Sequence, residues 1–129
     1  MASLTVEVSI GEVADKISIL RIKAARLSRP DQLANVSAEL EALEAAWDGA
    51  VAASAEMDAV RHELALVNEA LWDIEDEIRR HEASGDFGSS FVELARSVYV
   101  TNDRRAALKR AINELSGSRL VEEKSYEDY

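Results

Sequence analysis

The chain has 129 residues, 47% hydrophobic and 31% charged, which suits one domain with its own core and is too little for two ordinary ones. A formal charge of −10 argues against nucleic acid and anionic membranes as partners of the protein as a whole, since neither meets a basic field. The absence of cysteine removes disulfides, thiolate nucleophiles and cysteine-ligated zinc, and a single proline with five glycines favours helices over strands.

The first ten residues lack the basic start and long apolar run of a signal peptide, and no stretch reaches the ~18 apolar residues of a membrane span. A cytoplasmic protein is the expectation. Leu4, Val6, Val8 and Ile10 alternate with polar residues, which predicts a short extended arm with strand character. Ser9 and Glu12 stand at capping-box spacing and open a first helix over 10–28. Its stripe is Ile10, Val13, Ile17, Leu20, Ala24 and Leu27, while Ile19 and Ile22 lie on a second face. A helix apolar on two faces is central or lies at a subunit contact, so Ile19, Ile22 and Trp47 are candidates for a homodimer surface.

Pro30 breaks the helix, and a second runs over 31–47 with Leu33, Val36, Leu40, Leu43 and Trp47 on one side. The longest element, 54–84, carries Met57, Val60, Leu64, Val67, Leu71, Ile74 and Ile78 in steps of three and four and reads as the spine of the fold. Ser54 is its N-cap and Gly85 its left-handed stop. Ser90 and Glu93 form another capping-box pattern for a fourth helix over 90–116, stopped by Gly117, with a β-branched cluster near Thr101 that predicts a kink. The tail is expected to dock up to about Tyr126. The result is one all-α domain over 1–129. It is an antiparallel four-helix bundle of two helical hairpins with an extended N-terminal arm and a C-terminal tail.

One level of this pattern breaks. The fourth helix puts Thr101 and Arg105 where its neighbours put Leu or Val, and a guanidinium on an inner stripe is costly unless paired. With a turn near Phe87, facing residues on the last two helices have numbers summing to roughly 174, which sets Arg105 near Glu69. A polar layer of Asn68, Trp72, Thr101, Asn102 and Arg105 follows, with Glu69 or Glu75 as counter-charge. Such a layer either fixes helix register or presents Arg105, with Arg104 or Arg96, to an anionic ligand such as a nucleotide sugar.

Metal chemistry fits poorly. His62 and His81 have no Glu three residues earlier, so the Glu-x-x-His pairs of di-iron bundles are missing. Glu41 with Glu44 and Asp73 with Asp76 resemble the acidic pairs of all-α nucleoside-triphosphate pyrophosphohydrolases, but Asp73 and Asp76 point away from the apolar stripe. No metal and no cofactor is expected. The basic residues Lys16, Arg21, Lys23 and Arg26 read as a solvated flank facing the acidic second helix.

Four segments, 8–23, 71–78, 94–109 and 117–126, together resemble a family of small, uncharacterised, all-helical bacterial proteins. The resemblance implies no activity. It implies companions of glycosyltransferases in surface-polysaccharide synthesis, and it draws attention to Trp72, Asn102, Arg104, Arg105, Lys124 and Tyr126. The expectation is a non-enzymatic accessory protein acting as a homodimer, with a protein partner and neither nucleic acid nor membrane. The alternative is a binder of, or enzyme for, an anionic metabolite, anchored by Arg105.

Overall fold

A computed structural model describes all 129 residues: four α-helices and no strand. They are α1 (Ile10–Arg26), α2 (Pro30–Ala50), α3 (Ala55–Ser84) and α4 (Ser89–Ser116). No helix is long and apolar enough to cross a membrane.

The helix ends follow the chemistry of their caps. Ser9 Oγ accepts from the Glu12 amide, and Ser54 Oγ accepts from that of Met57. Gly85 and Gly117 close α3 and α4 at φ of 69° and 66°, a region where a side chain is strained. Two capping expectations are corrected. The Glu12 carboxylate does not return to Ser9 but is taken by Lys109. Ser90 caps nothing: α4 starts one residue earlier behind Gly88, whose amide is held by Asp86 Oδ1 at 3.1 Å. Nor is α4 interrupted at Thr101, because propensity costs of a few tenths of a kcal/mol per residue are outweighed by packing along α3.

The hub is α1, not the long third helix. It alone packs against all three other helices, whereas α2 rests on α1, and α3 pairs with α4 and α1. Its two apolar faces explain this. Ala14, Ile17 and Leu20 are buried, and the core joins Ala14 and Ile17 to Trp47, Met57, Leu64, Leu108 and Ile112. Ile22 and Trp47 are therefore internal to one chain, each 7% exposed, and do not form the dimer surface expected of them. Trp47 is shielded further by Arg61, whose guanidinium lies 4.2 Å from the ring centre.

Core formation stops part-way along the long helices. No residue between Asn68 and Leu108 is buried, although Leu71, Ile74, Ile78, Phe91, Leu94 and Val98 form the seam between α3 and α4 there. At 1.5 Å per residue α3 is about 45 Å long and α1 only about 25 Å. The outer part of the α3–α4 pair thus has no third layer, and each seam side chain stays partly wet.

Residues 1–8 are exposed and irregular, so the alternating segment is an arm without a strand partner. The arm is tied down by Glu7, which receives both Nε and Nη2 of Arg119. The tail runs back along α4: Glu122 and Glu123 engage Lys109 and Arg110, and Tyr129 reaches Asp103 and the Tyr99 ring. Residues 121–129 are nonetheless exposed throughout, Tyr126 at 78% and Tyr129 at 80%, so the tail lies on the surface of α4 without being buried.

Candidate functional site

The polar interruption of the core centres on Asp15 of α1, a carboxylate only 2% exposed. It sits on the α1 face formed by Gly11, Asp15, Ser18 and Ile22, at the four- and three-residue steps of one helix side. Facing it is the α4 stripe Arg105, Lys109 and Asn113, every fourth residue. Contact is close because residue 11 is glycine. A Cβ there would lie 2.4 Å from the Lys109 carbonyl oxygen, so only a bare backbone lets α1 approach α4 this near.

Arg105 donates to both oxygens of Asp15, Nε to Oδ1 at 2.9 Å and Nη2 to Oδ2. Asn68 Nδ2, from α3, donates to Asp15 Oδ1 at 3.0 Å and to Ser18 Oγ at 3.1 Å. Lys109 Nζ stands 4.0 Å from Asp15 Oδ2 and donates to Glu12 and Glu122, each at 2.8 Å. Below it, Asn113 Oδ1 accepts from the Gly11 amide at 2.6 Å, and Ser118 Oγ accepts from the Ile10 amide at 3.1 Å. No buried side-chain nitrogen or oxygen lacks a hydrogen-bond partner.

The charges answer one another. Burial pushes the Asp15 carboxyl up, but Arg105 and Asn68, with Lys109 nearby, outweigh it and hold the group below its ordinary range. Burial likewise disfavours the charged Lys109, while Glu12 and Glu122 more than compensate and raise it. The Asp15 bond raises Arg105, and Lys109 lowers Glu122. These shifts keep Asp15, Arg105, Lys109 and Glu122 ionised at neutral pH. A saturated cluster of this kind locks α1, α3, α4 and the tail in register; it holds no proton poised for transfer.

The six predicted site residues divide. Asn68 and Arg105 do meet, on Asp15, whose Oδ1 accepts from both. The counter-charge is corrected: it is neither Glu69 nor Glu75 but Asp15, on a helix left out of the pairing argument. Arg104 is exposed and pairs with Glu63. Trp72 is half-buried under Arg26, whose Cζ is 5.9 Å from the ring centre. Thr101 is half-buried with no side-chain hydrogen bond, and Asn102 lines a groove between α4 and the tail with Lys124 and Tyr126. Glu44 and Asp73 form ion pairs with Arg21 and Arg26, and no three His, Asp or Glu side chains converge as metal ligands would.

Asp15, Ser18, Lys109 and Asn113 escaped the sequence reading. Their signal was available in the spacing: 11, 15, 18 and 22 define a second inner face of α1, and 105, 109 and 113 a polar ridge on α4.

The fold and the cluster define a small all-helical protein whose interior ionic network ties α1, α3, α4 and the C-terminal tail together. The chain belongs to the family of unknown function DUF6165, whose sequence model matches residues 4–129. No curated protein and no solved structure matches it.

Proposed function

We propose that this chain is a non-enzymatic interaction protein that works as a homodimer, two antiparallel helical hairpins per copy, joined through the first half of α4. One observation carries the reading. From Phe91 to Val100 seven of ten residues are apolar, yet Val92, Tyr99 and Val100 stay 50%, 44% and 52% exposed, with Arg96 among them. Exposed apolar side chains on successive turns favour a contact surface, and a two-fold pairing of the exposed α3–α4 ends covers them with two copies of the same patch. Tyr99 already turns one edge to Tyr129, so the chain partly covers its own patch.

The polar cluster supports the same reading by being closed. Arg105 spends Nε and Nη2 on Asp15, so the side chain best suited to an anion has a resident carboxylate. A cytoplasmic accessory role beside surface-polysaccharide glycosyltransferases is the partner setting this reading favours.

The test is gel filtration of the wild type against a Val92→Glu, Val100→Glu double variant. Both side chains are half exposed in the single chain, so the substitution spares the monomer fold. The wild type should elute as a dimer and the variant, at equal helicity, as a monomer. Identical elution of the two overturns the proposed interface.

A further inference from the structure

A second basic feature lies between α1 and α3, away from the dimer surface and next to the ionic cluster, with which it shares Ser18 and Ile22 of α1. Between α1 and α3 runs a cavity of about 410 Å³, open to solvent, lined by Ile17, Ala25 and Ala65, by the guanidinium groups of Arg21, Arg26 and Arg61, and by the carboxylates of Asp58 and Glu69. That volume falls within the range of small-molecule sites, roughly 300–1,000 Å³. We propose that this groove binds a small organic oxyanion, a phosphorylated or carboxylated metabolite, held by the guanidinium of Arg61 with Arg21 beside it and its apolar part on the alanine and isoleucine side chains.

Arg61 and Arg96 are the two arginines with no carboxylate within ion-pair distance, and of these Arg96 is exposed while Arg61 is half-buried. Arg21, Arg26, Arg104, Arg105 and Arg119 each have a carboxylate within ion-pair distance, on Glu44, Asp73, Glu63, Asp15 and Glu7. Arg61 has none. It is half-buried, its Cζ 4.2 Å from the centre of the Trp47 ring, and its charge is opposed by that of Arg21. Asp58, Asp48 and Glu44 attract it from beyond contact distance. Desolvation and Arg21 prevail over them and leave Arg61 below its ordinary range, whereas the bound carboxylates of Arg26, Arg105 and Arg119 raise theirs. A half-desolvated guanidinium held in place by an aromatic ring, its forked edge unspent, has the geometry that receives two oxygens of a phosphoryl or carboxylate group. A ligand oxyanion would supply the missing counter-charge and relieve the Arg21–Arg61 repulsion together.

Trp47 makes the site observable. In a Trp72→Phe background the remaining indole touches Arg61, so an anion that draws on the guanidinium changes Trp47 fluorescence. Titrations with inorganic phosphate, glycerol 3-phosphate and succinate are run at constant ionic strength set by sodium chloride. The proposal expects a saturable change with at least one of the three, an affinity at least tenfold weaker in Arg61→Gln, and an unchanged one in Arg104→Gln. A response to glycerol 3-phosphate but not succinate assigns the phosphoryl class, and the reverse assigns the carboxylate class. Helicity measured in parallel confirms that Arg61→Gln is folded, and Arg61→Lys, which keeps the charge without the fork, serves as a second variant expected to bind more weakly than wild type. No saturable change with any probe, or wild-type affinity in Arg61→Gln and Arg61→Lys, overturns the proposal and leaves the dimer reading untouched.

Discussion

Consider the removal of Arg105. Asp15 is 2% exposed, and Arg105→Ala leaves its carboxylate with one amide donor, Asn68 at 3.0 Å, and with Lys109 Nζ at 4.0 Å. Breaking a buried pair from one side costs about 3–5 kcal/mol, most of it the uncompensated charge left behind. Two features set the value at the low end, about 3 kcal/mol: the Arg105 side chain is 27% exposed and so partly hydrated already, and Lys109 can move closer. The reverse deletion is milder. In Asp15→Ala the freed guanidinium can turn toward water and Asn68 keeps Ser18, so about 2 kcal/mol is expected. Against a total of about 5–15 kcal/mol, the first loss lowers the thermal midpoint by roughly 10 °C. The control is Arg104→Ala, whose partnership with Glu63 is solvated on both sides, 57% and 51% exposed, and should matter by less than about 1 kcal/mol. Urea unfolding followed by far-UV circular dichroism reads all three. Replacing both partners by leucine should recover most of the loss, since a hydrophobic pair leaves no orphan charge. If Arg105→Ala costs no more than Arg104→Ala, or less than Asp15→Ala, the reasoning about the buried charge is refuted.

Other outcomes follow from the same geometry. The Asp15 carboxyl is held below its unfolded value of about 3.9, so its contribution is present above that pH and disappears as pH falls through the folded value. The urea-midpoint gap between wild type and Asp15→Asn should therefore narrow below about pH 4, with Glu122 adding to the wild-type slope; a gap constant to pH 2 contradicts it. Gly11→Ala drives a methyl to 2.4 Å from a backbone oxygen and should cost about 2 kcal/mol, whereas Gly49→Ala, with nothing within 4 Å, should be neutral or stabilising by up to ~1 kcal/mol. Asn113→Ala strands the buried Gly11 amide and should cost about 1–3 kcal/mol in the same assay; a loss below ~0.5 kcal/mol means water replaces the side chain.

Much of the fold could be read before any coordinates. Periodicity located the four helices because each buries a stripe, and Ser9, Ser54, Gly85 and Gly117 marked ends because their chemistry serves orphan backbone groups. Pairing the last two helices across a short turn also put Asn68 and Arg105 in one layer, and both side chains do bond Asp15. The partner of Arg105 was not readable by that route. Asp15 lies 90 residues away on a helix whose rotation depends on a single close approach at Gly11, which no periodicity encodes. Ile22 and Trp47 were misplaced for a related reason: an apolar second face is the same signal whether its cover is another helix of the chain or another chain. Arg61 gave no sign at all, because an arginine on a helix flank looks alike whether its carboxylate is present or missing.

The proposed dimer is open to one direct measurement, the mass of the wild-type chain at sedimentation equilibrium over a hundredfold range of concentration. A covered α4 patch predicts a mass that approaches twice 14.2 kDa as concentration rises. A mass that stays at 14.2 kDa throughout contradicts it.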